Sequence, residues 1–253
     1  MRAQSILLCL AAAVATPVAA ADTAPFPATP AYGGCIAAIE TRPEDALQQA
    51  LSWRERGGGL PAEHCAAMAM LALDQPTEAA VMLEAMVRES EARPAGERAA
   101  LLEQAGNAWL LARQAASADA AFSGALRLSP QDPLLWTDRA QARAMRQDWA
   151  GAESDLTAAI SFEKSDPEIY VLRSSARRAL GRTVEADADV TAALAIDPEN
   201  AGALVERGAI KAAAGDRNGA RADWARVLLR APQSAAADSA RNRIEAMDVN
   251  PDR

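Results

Sequence analysis

Aromatic residues make up 4 % of the 253-residue chain, with three phenylalanines and two tyrosines. There is one histidine, His64, and only three cysteines. These shortages exclude a good deal. Strand-rich folds want β-branched and aromatic side chains. Half of this chain is apolar, and alanine dominates that half, which suits closely packed helices. A zinc site of the Cys/His kind has no ligand set, because no CxxC occurs and His64 stands alone. A Ser–His–Asp constellation would have to be built around the same histidine, and no GxSxG is present. "RERGGGLP" at 54–61 has three glycines but lacks the lysine and Ser/Thr of a phosphate loop. It reads as a flexible turn between two helices. His64, just after it, reads as a helix-start residue rather than a general base. Basic charge is also short: 26 Lys and Arg face 34 Asp and Glu, for a formal −8. That balance argues against nucleic acid or an anionic membrane surface as a partner.

What is present begins with "MRAQSILLCLAAAVATPVAAADTAP". Arg2 supplies a positive start, Ser5 to Val14 is a short apolar stretch, and Ala19 to Ala21 offer a small-x-small cleavage site before Asp22. This pattern predicts a secretory signal peptide over residues 1–21, too short in its apolar part to span a bilayer. Cys9 lies inside the apolar stretch, preceded by Ile6, Leu7 and Leu8 rather than by small residues, so a lipid anchor is not expected. No later segment is expected to cross a membrane, since charges interrupt every apolar run. Cleavage removes Arg2 and takes the formal charge from −8 to −9. It leaves Cys35 and Cys65, which in an exported chain point to one disulfide, with a pair of buried thiols as the alternative. A periplasmic or secreted location is therefore expected.

The remainder is periodic. "GAESDLTAAI" from Gly151, "EADADVTAAL" from Glu185 and "GARADWARVL" from Gly219 are versions of one phrase repeated every 34 residues. Pro130, Pro198 and Pro232 keep the same spacing, with Lys164 in the skipped place. The repeats are 99–132, 133–166, 167–200 and 201–234. Each divides into two helical stretches with a break at Gln114, Gln147–Asp148, Gly181 or Gly215–Asp216. Small residues recur where helices must approach closely: Gly106, Ala140, Ser174 and Gly208 in the first stretches, Ala118, Ala152, Ala186 and Ala220 in the second. Such stripes bury one face of each helix against its neighbours.

This small–Ala–Ala–Pro register, kept over four consecutive repeats, resembles the tetratricopeptide repeat family. The resemblance covers 99–234 and extends more weakly to 60–93, through Ala79 and Leu83, and to 27–60, through Gly34 and Ala46. Residues 94–98 read as an insertion. The expected organisation is a signal peptide at 1–21, a degenerate helical region at 22–98, four repeats over 99–234, and a capping helix and tail at 235–253. The resemblance implies an all-α, right-handed superhelical solenoid of antiparallel helix pairs. Within it, "GDRNGA" at 215–220 is a break between helices rather than a calcium loop, and Trp109, Trp136, Trp149 and Trp224 are packing residues. The resemblance further implies a concave groove lined by Glu103, Asn107, Thr137, Gln141, Val171, Ser175, Arg178, Val205 and Ala209. The slots by which some members clamp a terminal carboxylate hold Glu103, Asn107, Asp138, Glu168 and Leu172; only Asn107 fits, so such a clamp is not expected.

One more regularity concerns charge. Arg139, Arg173 and Arg207 are followed, always at the same offset, by Asp155, Asp189 and Asp223. Repeat 99–132 has Ala105 and Ala121 at these places, and 60–93 has Ala66 and Met82, so the two charges come and go together. A ladder of structural ion pairs, within a repeat or to the next, is expected; catalysis needs one special site, not a series. The functional expectation is an exported, non-enzymatic adaptor with no cofactor and no metal, binding a protein or peptide in its groove. Three alternatives remain: a structural subunit of an envelope assembly using its convex face or end helix, a groove partly filled by the chain's own proline-rich "DTAPFPATPAYGG", and an enzyme, for which the sequence offers no catalytic set.

Overall fold

The computed structural model describes Phe26, residues 29–89 and residues 91–249. The signal-peptide stretch and residues 22–25, 27 and 28 of the proline-rich segment lie outside the described residues. The described chain is α-helical, apart from one short π-type stretch. The described residues divide into two compact units, one running up to Arg146 and the other from Gln147 onward. The division falls between the two helices of the 133–166 repeat.

The N-terminal unit holds α1 (Pro30–Ile39), α2 (Pro43–Trp53), α3 (Gly59–Ala72), α4 (Pro76–Glu89), α5 (Ala95–Leu111), α6 (Ala115–Leu128) and α7 (Pro133–Met145). Consecutive helices pack on one another throughout, most extensively α5 on α6 and α4 on α5. Its core joins Ala66, Ala79, Leu83, Met86, Leu101, Ala105, Ala118, Phe122, Ala125 and Leu135. The second unit holds α8 (Trp149–Phe162), α9 (Pro167–Ala179), α10 (Thr183–Ile196), α11 (Ala201–Ala213), α12 (Arg217–Arg230) and α13 (Ala235–Val249). Its cores gather around Ala186, Val190 and Ala193, and around Leu204, Ala220, Trp224 and Val227. α13 lies on α12 and α11 and buries Ala237, Ala240 and Met247, closing an apolar face that would otherwise meet water.

The helix boundaries follow from local chemistry. Asp132, Asp166 and Asn200, one period apart, accept backbone N–H bonds from Leu134, Glu168 and Ala203. They cap α7, α9 and α11, two of which have proline at the first position, where its missing N–H costs nothing. Asp148 and Asp216 do the same for α8 and α12 through Gly151 and Gly219. Helices α3, α5, α7, α9 and α11 end in one recurring turn. Asp74, Arg113, Gln147, Gly181 and Gly215 all have positive φ. In four of these turns the next residue donates to the carbonyl five back: Gln75 to Met70, Gln114 to Trp109, Arg182 to Arg177, Asp216 to Lys211. This is a Schellman turn, which satisfies helix-end carbonyls and prefers glycine. Only Gly181 and Gly215 supply it.

The small residues mark close approaches, with one exception. A Cβ on Gly106 would stand 2.5 Å from the Phe122 ring, and one on Gly208 would stand 2.3 Å from Trp224. Ser174 instead donates its hydroxyl to the Ala186 carbonyl at 2.9 Å. A Cβ on Gly34 would meet nothing within 4 Å, so the small slot read there from the sequence is not a contact. "RERGGGLP" also differs from an open turn. Arg54–Gly58 winds as a π-type stretch that runs from α2 into α3, and Gly57 and Gly59 take the positive φ values that join them.

Candidate functional site

The first helices of the hairpins carry the expected groove residues. In the N-terminal unit these are α5 and α7. Asn107 is exposed, Glu103 and Gln141 are half-buried, and Thr137 is buried, its hydroxyl bonded to the Pro133 carbonyl at 2.9 Å. In the second unit they are α9 and α11. Val171, Ser175, Val205 and Ala209 are all buried. Arg178 is engaged: its Nε and Nη2 donate to both carboxylate oxygens of the buried Glu206, at 2.8 and 3.2 Å. Of the expected groove residues, the polar ones left exposed or half-buried outside an ion pair lie on α5 and α7.

Asp138, one residue along α7 from Thr137, is 8 % exposed. Burial pushes its carboxyl up to about 7, and the carboxylates of Glu103 on α5 and Asp132 before α7 push in the same direction. Glu103 is raised for the same reasons, burial first and Asp132 second. Two carboxyl groups that resist ionisation therefore share one small region of α5 and α7.

The charge ladder is built around aspartates rather than simple pairs. Arg173 donates through Nη2 and Nε to the two oxygens of Asp189 at 2.7 and 3.0 Å, and Arg177 adds a bond at 2.8 Å. Arg207 binds Asp223 at 2.6 and 2.9 Å, joined by Lys211 at 2.8 Å. Burial raises the Asp223 carboxyl, but its hydrogen bonds to Arg207 and Lys211 outweigh burial and hold it below the usual range. Arg139 and Asp155 fall in different units. Within its own unit Arg139 donates to the Ser123 hydroxyl at 3.1 Å and lies over the Trp136 ring. Sequence reasoning missed the second line of cations, Arg143, Arg177 and Lys211, although it keeps the same period. Arg143 pairs with Asp119 at 3.3 Å and Arg177 with Glu153 at 3.0 Å. Such pairs fix the register of packed helices more than they add stability.

His64 is not at the start of its helix but buried within α3. Nδ1 faces the Tyr32 hydroxyl at 2.8 Å and Nε2 faces the Gln104 amide oxygen at 2.8 Å. Phe26 packs edge-on against the imidazole, and Arg93 lies over the Phe26 ring. Burial lowers His64 to about 4, against an opposing contribution from Gln104, so it is neutral at pH 7. Nearby, Cys35 and Cys65 form a disulfide with Cα atoms 6.3 Å apart. Trp109 and Trp224 are buried, with indole N–H bonds to Glu84 and to the Val205 carbonyl. A separate cavity of about 460 Å³ is lined by Met70, Val81, Met82, Glu63 and Glu89. Among the described residues, no group of three or more His, Cys, Asp or Glu side chains could hold a metal ion. No helix there is long and apolar enough to cross a membrane.

Solved structures with the same arrangement of helix hairpins include MamA 41-end from Desulfovibrio magneticus RS-1. It is 19 % identical, covers 66 % of this chain and 91 % of that one, and superposes with a TM-score of 0.57. The chain has the tetratricopeptide-repeat fold. TTC0263, a thermophilic TPR protein of Thermus thermophilus, is 16 % identical over 74 % of this chain and 97 % of its own, with a TM-score of 0.57. YrrB, described as a TPR protein with an unusual peptide-binding site, is 17 % identical over 76 % and 96 %, with a TM-score of 0.55. No protein-family model matches the sequence, and no curated protein matches it. The tetratricopeptide-repeat fold accounts for the sequence period, the small-residue contacts and the Schellman turns.

Proposed function

We propose that this tetratricopeptide-repeat chain is an exported, non-enzymatic adaptor that holds a protein or peptide segment on the first-helix face of α5 and α7. The observation that carries this reading is the contrast between the units. In the second unit the groove positions are buried or, at Arg178, locked onto Glu206. In the N-terminal unit Asn107, Gln141 and Glu103 retain exposed polar surface. A face of that kind suits an extended peptide or a helix held by hydrogen bonds and shape. The peptide-binding site attributed to YrrB is consistent with the reading. Export is supported by the N-terminal pattern of residues 1–21 and by the Cys35–Cys65 disulfide, which persists in oxidising compartments.

The test is a photo-crosslinking residue in place of Gln141 in cells that export the protein. One discrete adduct, lost in Glu103→Lys, is the expected result. A structural-subunit reading draws on Leu229, 79 % exposed on α12, and Val249, 78 % exposed on α13. Adducts from those two positions with none from Gln141 would overturn the groove reading in its favour.

A further inference from the structure

The position of Asp138 recurs in the other repeats, and there its polar occupant is satisfied. Gln104, one period earlier, bonds His64 at 2.8 Å. Leu172, one period later, has nothing to satisfy. Glu206, two periods later, is buried and held by Nε and Nη2 of Arg178, a residue 28 places before it. The residue in the matching place before Asp138 is Leu110, which brings no cation. Among the described residues Asp138 has no hydrogen-bond or ion-pair partner, although it is more than nine-tenths buried. The charges that face it are Glu103 and Asp132, both of its own sign. Asp132 has one oxygen committed to the Leu134 N–H; Glu103 is half-buried on the preceding first helix, one turn before the exposed Asn107.

A buried carboxylate without a counter-charge is costly, and a positive group that hydrogen-bonds it relieves that cost. We propose that Asp138, with Glu103 and Asp132, is the recognition site for a lysine or arginine side chain of the bound segment, so that the partner is basic where it crosses α5 and α7. The incoming cation takes the place that Arg178 fills opposite Glu206. An organic cation fits better than a metal ion, because these carboxylates do not converge into a metal-ligand group. Net charge agrees: an acidic chain draws a basic partner and repels acidic competitors. This inference rests on the groove-binding reading and gives it a chemistry.

The test is a random peptide library displayed on phage, panned at pH 8 against the full exported chain. Enriched peptides are expected to share a lysine or arginine. A synthetic copy is expected to bind Asp138→Asn and Glu103→Gln at least tenfold more weakly. It should lose as much when norleucine replaces its lysine or norvaline its arginine. Asp138→Asn is close to isosteric, and circular dichroism confirms that the variant is folded. Carboxyl carbon NMR gives an independent readout: the bound peptide must drive Asp138 to its ionised form at pH values where the free protein holds the proton. Enriched peptides that lack a basic residue, or that bind Asp138→Asn as well as the parent, overturn this inference and leave the groove reading standing. Peptides that crosslink only away from α5 and α7, or no enrichment at all, overturn both.

Discussion

Asp138 and His64 are buried titratable side chains whose environments oppose ionisation, and they pull stability in opposite directions with pH. Asp138 is raised to about 7 by burial, then by Glu103 and Asp132. The folded chain therefore keeps a proton that the unfolded chain loses near pH 4. The stability from Asp138 is fully present below about pH 4 and is lost as pH rises toward 7. Asp138→Asn should raise stability at pH 8 by on the order of 2–4 kcal/mol, with the gain vanishing near pH 4, as read in urea melts. His64 is lowered to about 4, first by burial. Its contribution is fully present above about pH 6.5 and is lost as pH falls through 4; His64→Gln should remove that slope from the same melts. At Asp189 the issue is pairing. Arg173 and Arg177 both donate to it, so Asp189→Ala leaves two guanidinium groups short of a partner. A loss of about 3 kcal/mol is expected. Arg173→Leu combined with Asp189→Ala should cost less than the sum of the two single changes, since part of each single loss is one broken contact.

At the scale of the helix, close approach and turn geometry make separate predictions. Gly208→Ala puts a methyl group into the buried Trp224 ring. Overpacking of about 1–3 kcal/mol should outweigh the gain of up to about 1 kcal/mol in helix propensity. Gly34→Ala meets nothing and should be neutral to stabilising in the same thermal melt. The Schellman turn of α5 is closed by Arg113 at φ 59°, a conformation that costs an L-residue roughly 1 kcal/mol and glycine little. Arg113→Gly should therefore raise the melting temperature by a few degrees. These elements also show what the sequence made legible. Helix pairs, breaks and small-residue contacts were readable because each recurs once per period, and recurrence exposes a shared steric demand. Features set by long-range partners were not. His64 acquires its role from Tyr32 and Gln104, 32 and 40 residues away, and a lone histidine carries no period. Asp138 occupies a position that changes from Gln104 to Leu172 to Glu206, so no repeat marks it. Its isolation is visible only beside the Arg178–Glu206 pair. Gly34 kept the period without the contact because no ring is placed against it.

Over the whole molecule, the two units share one repeat and use it differently. Within the second unit the buried acids Asp189, Glu206 and Asp223 each meet one or two cations. The N-terminal unit ties α1 to α3 by a disulfide and collects unanswered carboxyl groups on α5 and α7. On this account the second unit supplies a rigid array with a capped end, and the N-terminal unit supplies the recognising face. The direct measurement is hydrogen–deuterium exchange of the full chain, free and crosslinked through Gln141 to its captured partner. The account predicts new protection in α5 and α7, centred on Glu103 to Asn107 and Thr137 to Gln141. Protection gained in α12 and α13, with α5 and α7 exchanging as in the free protein, would contradict it.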